Sequence, residues 1–323
     1  MIMSTFIRNT RLVTASLLIL AATVSPARAQ SPSLIRSVRD ALAKQDFPAA
    51  EQLIATERRA RGVTPEVLEA HSWLGRGALA AQRWERADTY ARETYTLAQA
   101  ALKGRPIDQE PHLPIALGAA IEVQAQVAAH QGARTEAVAM LQKELAVHRV
   151  DSLAKRIQKN INLLSLEGTT APPLDLSESL GAKPLSLADV KGRVVVLFFW
   201  AHWCPDCKTQ APILKELLAR YGSQGLTLIA PTQRYGYVAA GREAGADEEN
   251  RYIAQIRATY YDFLAPNTVA LSAANHVRYG VSTTPTLVIT DRKGIVRTYH
   301  PGNMSAQELD AVVSRLLAEP GMP

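Results

Sequence analysis

Residues 193–208 read Arg-Val-Val-Val-Leu-Phe-Phe-Trp-Ala-His-Trp-Cys-Pro-Asp-Cys-Lys and hold both cysteines of the 323-residue chain. A run of β-branched and aromatic residues predicts a strand. It ends in a short turn, and a helical pattern begins at once after Cys204-Pro205-Asp206-Cys207. The order is strand, thiol pair, helix N-terminus.

The thiolate is the nucleophile in disulfide exchange, and a helix N-terminus offers unpaired N–H groups and partial positive charge that favour an anion. Cys204 is therefore the candidate nucleophile. Cys207, one turn further in, is placed to resolve the mixed disulfide. Pro205 suits the first helical turn, where its missing N–H would have had no partner.

Working toward the N-terminus, Arg8 and Arg11 precede an apolar run from Leu12 to Val24, and Ala27-Arg28-Ala29 fits a small-x-small cleavage site. Residues 1–29 thus read as a secretory signal peptide. The run is shorter than the ~20 residues a membrane span wants, so cleavage and a periplasmic or otherwise exported product are expected over an uncleaved anchor. Three of the six net positive charges lie at Arg8, Arg11 and Arg28, and the mature chain keeps +3. So mild and scattered a charge gives no case for nucleic acid. Exported proteins commonly carry several structural disulfides; a single close pair closes too small a loop to staple a fold, which favours redox work.

The length predicts two domains. Residues 30–166 read as a helical domain, 167–173 (Glu167-Gly-Thr-Thr-Ala-Pro-Pro173) as a linker, and 174–323 as an α/β domain. In the helical part Leu34, Val38 and Leu42 form one apolar stripe, and Thr64-Pro65-Glu66 is a helix start. Phe47-x-x-Ala50, Trp84-x-x-Ala87 and a degenerate Arg134-x-x-Ala137 mark a weak internal repeat of helical hairpins. With Leu74-Gly75 ahead of Ala87 it resembles the tetratricopeptide pattern. Such an array offers a face for a protein partner.

In the second half, strands are expected in the run that opens after Lys191-Gly192 and ends at the turn before the thiol pair, and at 226–230, 286–290 and 295–299. Helices are expected from Cys207 to about Gly222, around Tyr252 to Phe263, and after the capping box Ser305-x-x-Glu308. Residues 231–250 read as a long polar loop carrying Tyr235 and Tyr237. The order is β-α-β-α-β-β-α.

That order, Trp203-Cys204-Pro205-Asp206-Cys207 and Thr284-Pro285 before a strand resemble the thioredoxin superfamily. Ala171-Pro172, Leu185-Ser186-Leu187, Lys191-Gly192 and Pro212 are similar to its exported TlpA/ResA branch. The resemblance covers roughly residues 170–320 and implies a thioredoxin-like fold and a thiol-disulfide oxidoreductase. It further implies a reductase of client protein disulfides, recharged by a membrane electron-donor thiol protein. Cytochrome c maturation, a particular exported enzyme and general repair are all compatible clients. Pro285 matches the family's cis-proline, and Trp203, Thr284 and Pro285 are the expected substrate-binding residues, Thr284 offering backbone hydrogen bonds to an extended client segment.

Two positions depart from the pattern. Gln210 stands where much of the branch has an acid, and Phe198 where thioredoxin has a buried aspartate. Pro205, Asp206 and Gln210 are accordingly expected to tune the pair. Lys208 stands where haem attachment needs His, and no second cysteine pair exists for zinc. The expected redox group is therefore the Cys204–Cys207 disulfide, with no metal and no further cofactor. A non-enzymatic adaptor, and the same chemistry run as an oxidase or isomerase, are the alternatives.

Overall fold

The coordinates are a computed structural model and describe residues 33–265 and 268–319. The expected signal peptide over 1–29 lies outside the described residues.

Before residue 166 the chain folds into helices α1 (Leu34–Ala43), α2 (Phe47–Arg61), α3 (Pro65–Ala80), α4 (Trp84–Leu102), α5 (Leu113–His130), α6 (Arg134–Val147) and α7 (Ala154–Ser165). Thr64 caps α3, accepting from the Val67 N–H at 3.3 Å. Helices α1, α3, α5 and α7 pack on one another in sequence, while α2, α4 and α6 each lie across two of them as a second layer. The repeat suggested by Phe47, Trp84 and Arg134 is real in the backbone, since each is the first residue of its helix. Two residues earlier, Gln45, Gln82 and Gly132 take φ of 59°, 56° and 90°. The next N–H in each case returns to the preceding helix, Asp46 to Ala41, Arg83 to Ala78 and Ala133 to Ala128, at 2.8–3.0 Å. All three turns are Schellman closures. Ala50, Ala87 and Ala137 lie buried one turn into the following helix.

The second half holds β1 (Val194–Phe199), α8 (Pro205–Tyr221), β2 (Leu226–Ile229), α9 (Ala246–Tyr260), α10 (Ala273–Arg278), β3 (Thr286–Thr290), β4 (Val296–Pro301) and α11 (Ala306–Ala318). The expected order is present with one addition, α10. Its six residues are held by Ser272, whose Oγ accepts from the Ala274 and Asn275 N–H groups. The sheet order is β2-β1-β3-β4, with β1 parallel to β2 and antiparallel to β3. Every residue of β1 is buried, which is why its sequence is a continuous apolar run instead of an alternation. Val194, Val196 and Phe198 face the layer of α8 and α11. Val195, Leu197 and Phe199 face the opposite layer with Leu166, Tyr279 and Tyr299.

The proline-bearing segment after α7 lies along the outer side of β4. Gly168 donates to Val296 O at 2.8 Å, Val296 donates to Thr169 O at 2.9 Å, and Ala171 donates to Gly294 O at 2.9 Å. A free sheet edge is thereby covered. At the start of α11 the capping box is complete, Ser305 and Glu308 satisfying each other's backbone N–H.

Helix α7 also seats the helical half on α10 and β4. Asn162 Nδ2 donates to Arg278 O at 3.5 Å, and Lys155 Nζ to Gln233 Oε1 at 3.3 Å. The tightest approach is at Gly280, φ +61°, where a Cβ would stand 2.3 Å from Lys159 N and 2.5 Å from its Cα. Rigid backbone cannot give way as a flexible side chain would. Gly280→Ala is expected to cost about 2–4 kcal/mol through overpacking and the left-handed φ. Gly132→Ala, at φ +90° with nothing within 4 Å of the added Cβ, should cost only about 1–2 kcal/mol. Thermal or urea unfolding of the two variants checks this ordering, and equal losses would contradict it.

Candidate active site

Strand β1 ends at the centre of the sheet and hands the chain to Trp200 and Ala201, both fully buried. The Trp200 indole donates to Ala230 O at 3.0 Å and Thr232 Oγ1 donates to Trp200 O at 2.8 Å, pinning the turn to the end of β2. Cys204 is then the N-cap of α8, with φ −77° and ψ 114°, and Pro205 opens the helix. Serine and threonine oxygens usually fill this role. Here it is sulfur, Cys204 Sγ accepting from the Cys207 N–H at 3.1 Å.

Cys204 is 2 % exposed and Cys207 fully buried, both held as thiols. The Cys204 thiol reaches Thr284 O at 3.3 Å. The Thr284–Pro285 peptide is cis, and among the described residues the Thr284 N–H makes no hydrogen bond. Sequence positions 80 apart thus present one sulfur and one strip of open backbone side by side. A hydrogen bond from the Cys207 thiol, seconded by Thr284 and the Cys207 N–H, brings the Cys204 pKa down to about 6, against burial and the Asp206 charge. Burial first, then the adjoining Cys204, pushes the Cys207 thiol strongly up. One sulfur is readied as an anion and the other kept as its proton donor.

The remaining expected residues divide. Trp203 lies beside the pair, 45 % exposed, edge-on to Tyr235 at 5.6 Å. Asp206 is exposed on the first turn and acts on Cys204 only as an opposing charge. Gln210 is fully buried, and both ends of its amide are committed to Met304, Nε2 donating to the carbonyl at 3.1 Å and Oε1 accepting the N–H at 2.8 Å. It fixes the turn into α11. Phe198, where thioredoxin has an acid, packs against Tyr261 at 5.8 Å. The Tyr261 hydroxyl is buried without a partner among the described residues.

Sequence reasoning did not find Glu249. It is 1 % exposed and reaches back from α9 to accept from the Tyr235 and Gly236 N–H groups at 2.5 and 2.9 Å. Its Oε1 also lies 3.1 Å from Nε2 of His202, itself 1 % exposed. Burial lowers the His202 pKa, outweighing the carboxylate, so the neutral ring donates to Glu249. Tyr235, Tyr237 and Tyr252 close edge-on around that ring at 5.3–5.5 Å. Residues 231–250, expected as a plain loop, are thereby folded onto the turn that carries the thiols.

The sequence of this half has relatives. The AhpC/TSA family model matches residues 168–299. Over 144 residues the chain is 31 % identical to the thioredoxin-like protein YneN of Bacillus subtilis, spanning 45 % of this chain and 76 % of that one. The chain belongs to the thioredoxin-like thiol-disulfide oxidoreductases. Another thioredoxin-like relative is the thiol-disulfide oxidoreductase ResA of Bacillus thuringiensis subsp. konkukian, 26 % identical over 149 residues, which are 46 % of this chain and 78 % of ResA. Among solved structures, a putative thiol:disulfide interchange protein DsbE from Chlorobium tepidum is 27 % identical, aligns over 47 % of this chain and 98 % of its own, and has a TM-score of 0.36. Each of these spans less than half of the present chain.

In a thioredoxin-like site of this build, alkylation of the reduced protein by iodoacetamide should follow the Cys204 thiolate. The rate is expected to rise through about pH 6 and then level, because the thiolate fraction grows as pH passes the depressed pKa. Cys207→Ala removes the largest stabilising hydrogen bond and should move the midpoint upward. A midpoint that stays put would refute the assignment of that bond as the main cause.

Proposed function

We propose that this is an exported oxidoreductase that reduces disulfide bonds in client proteins, with Cys204 as nucleophile and Cys207 as resolving thiol. The observation that carries the reading is the paired setting of the two sulfurs. Cys204 caps α8 with a pKa brought to about 6, beside the unpaired N–H of Thr284, and Cys207 lies buried behind it.

The client segment would lie along Thr284, pairing with its free N–H, with Trp203 and Pro285 shaping the approach. The Cys204 thiolate attacks one client sulfur, the client S–S bond breaks, and the second client sulfur leaves as thiolate. Loss of the Cys204 negative charge removes one of the influences that kept Cys207 protonated. Cys207 gives up its proton and attacks Cys204 Sγ, the mixed disulfide breaks, and the first client sulfur leaves. The client gains two electrons and the enzyme ends as the Cys204–Cys207 disulfide, which a membrane thiol protein would reduce again. Among the described residues no carboxylate bonds either sulfur, so solvent or the departing client thiolate takes the Cys207 proton.

Export is supported by the sequence of residues 1–29. Among the described residues no helix is long and apolar enough to cross a membrane. The thrice-repeated Schellman turn supports a tetratricopeptide-like reading of the helical half and a protein partner for it.

Reduced Cys207→Ser protein mixed with an oxidised protein extract should retain its client as a mixed disulfide on Cys204, separable by non-reducing electrophoresis and identifiable by mass spectrometry. Cys204→Ser should retain nothing. If the wild type reduces disulfides while Cys207→Ser gives no adduct, the roles assigned to the two sulfurs are wrong.

A further inference from the structure

Next to the cis-proline loop the helical half contributes to an open cleft of about 310 Å³. Arg76 on α3, Glu122 on α5, and Arg156 and Lys159 on α7 line it together with Ser282 and Thr283, the two residues immediately before Thr284. Three cations share it with one carboxylate. Glu122 is already engaged, accepting from Arg156 Nε at 2.9 Å and from Lys159 Nζ at 3.3 Å.

Arg76 is the unmatched charge. Its guanidinium lies over the Trp73 ring at 4.5 Å, as does that of Arg39. It makes no hydrogen bond or ion pair among the described residues, and burial lowers its pKa, which Glu122 and Glu69 only partly offset and the neighbouring Arg39 charge lowers further. An arginine held over an aromatic ring keeps its N–H donors free for another partner. A desolvated cation without a partner is unfavourable until an anion completes it. The exposed Ser282 and Thr283 add two hydroxyls with no hydrogen-bond partner among the described residues.

We propose that this cleft is a subsite for a carboxylate side chain of the client, two to four residues from the client cysteine that Cys204 attacks. The spacing follows from the cleft beginning one residue before Thr284 and from the ~3.3 Å advance per residue of an extended segment. The helical half thereby joins the α/β half in selecting the substrate, the array reading charge while the thiol pair performs exchange. The proposal rests on the reductase reading given above.

The test uses the full reduced chain and cystine peptides identical except for Asp, Asn or Lys at each of positions two to four from the reacting cysteine, followed in single turnover. The neutral disulfide 4,4′-dithiodipyridine, too small to span thiol and cleft, reports the thiol pair alone. At one or more positions the Asp peptide should be reduced about tenfold faster than its Lys counterpart at low salt, a range fitting a charge-assisted bond. The preference should shrink as ionic strength rises. In Arg76→Gln it should collapse while the rate with dithiodipyridine stays unchanged. Equal rates for Asp and Lys peptides in the wild type, or a faster Lys peptide, overturn the subsite and leave the reductase reading standing. If dithiodipyridine reacts but no peptide of any charge is reduced, the reductase reading falls and the subsite with it. Should Arg76→Gln fail to fold, seen as loss of its helical circular dichroism, the charge series on the wild type decides.

Discussion

The sulfur proposed to attack is also the cap of its own helix. Cys204 Sγ accepts the Cys207 N–H that opens α8, so the contact that orients the helix also joins the Cys207 thiol and Thr284 in lowering the Cys204 pKa. An anion there satisfies a helix end that otherwise lacks a partner, and the helix end in turn holds the anion. The rest of the α/β half serves to bring this contact beside Thr284. The continuous apolar run of β1 fixes the strand at the sheet centre, the antiparallel β3 brings Pro285 alongside, and Gln210 locks α8 to the turn before α11.

A second layer of control comes from the segment between β2 and α9. Buried charge is tolerated only when it is paired, and Glu249 is paired three ways, with two backbone N–H groups and His202. This closes an aromatic surround over the residue two positions before the nucleophile, and it gives exposed Trp203 a backing ring in Tyr235. Where thioredoxin has an acid beneath the thiols, this chain has a layer of rings: Phe198, Trp200 and Tyr261. That is an apolar environment, and it accords with burial being the leading cause of the high Cys207 pKa.

What could be read from the sequence was what is local. Strand β1, the thiol pair and the final capping box each lie within about fifteen residues and obey a short-range rule. Helix α10 escaped because six residues show no apolar period, its start resting on Ser272 alone. The Glu249–His202 pair joins positions 47 apart in sequence with no motif to connect them. The third helical repeat looked degenerate because the conserved element is a backbone turn, and Gln45, Gln82 and Gly132 reach the same left-handed conformation with different side chains. The cleft beside the cis-proline loop needs three helices and a loop in one place, which composition does not encode.

Gly280 lies four residues before Thr284 and touches the backbone of α7. The segment leading to Thr284 and the helix that ends the array therefore meet here at a point with no room for a side chain. A side chain added there cannot be absorbed by either half alone, so the two halves must fit each other at this point. A helical array exchanged for that of a relative would have to bring its own version of α7 to fit, or lose its seat beside the site.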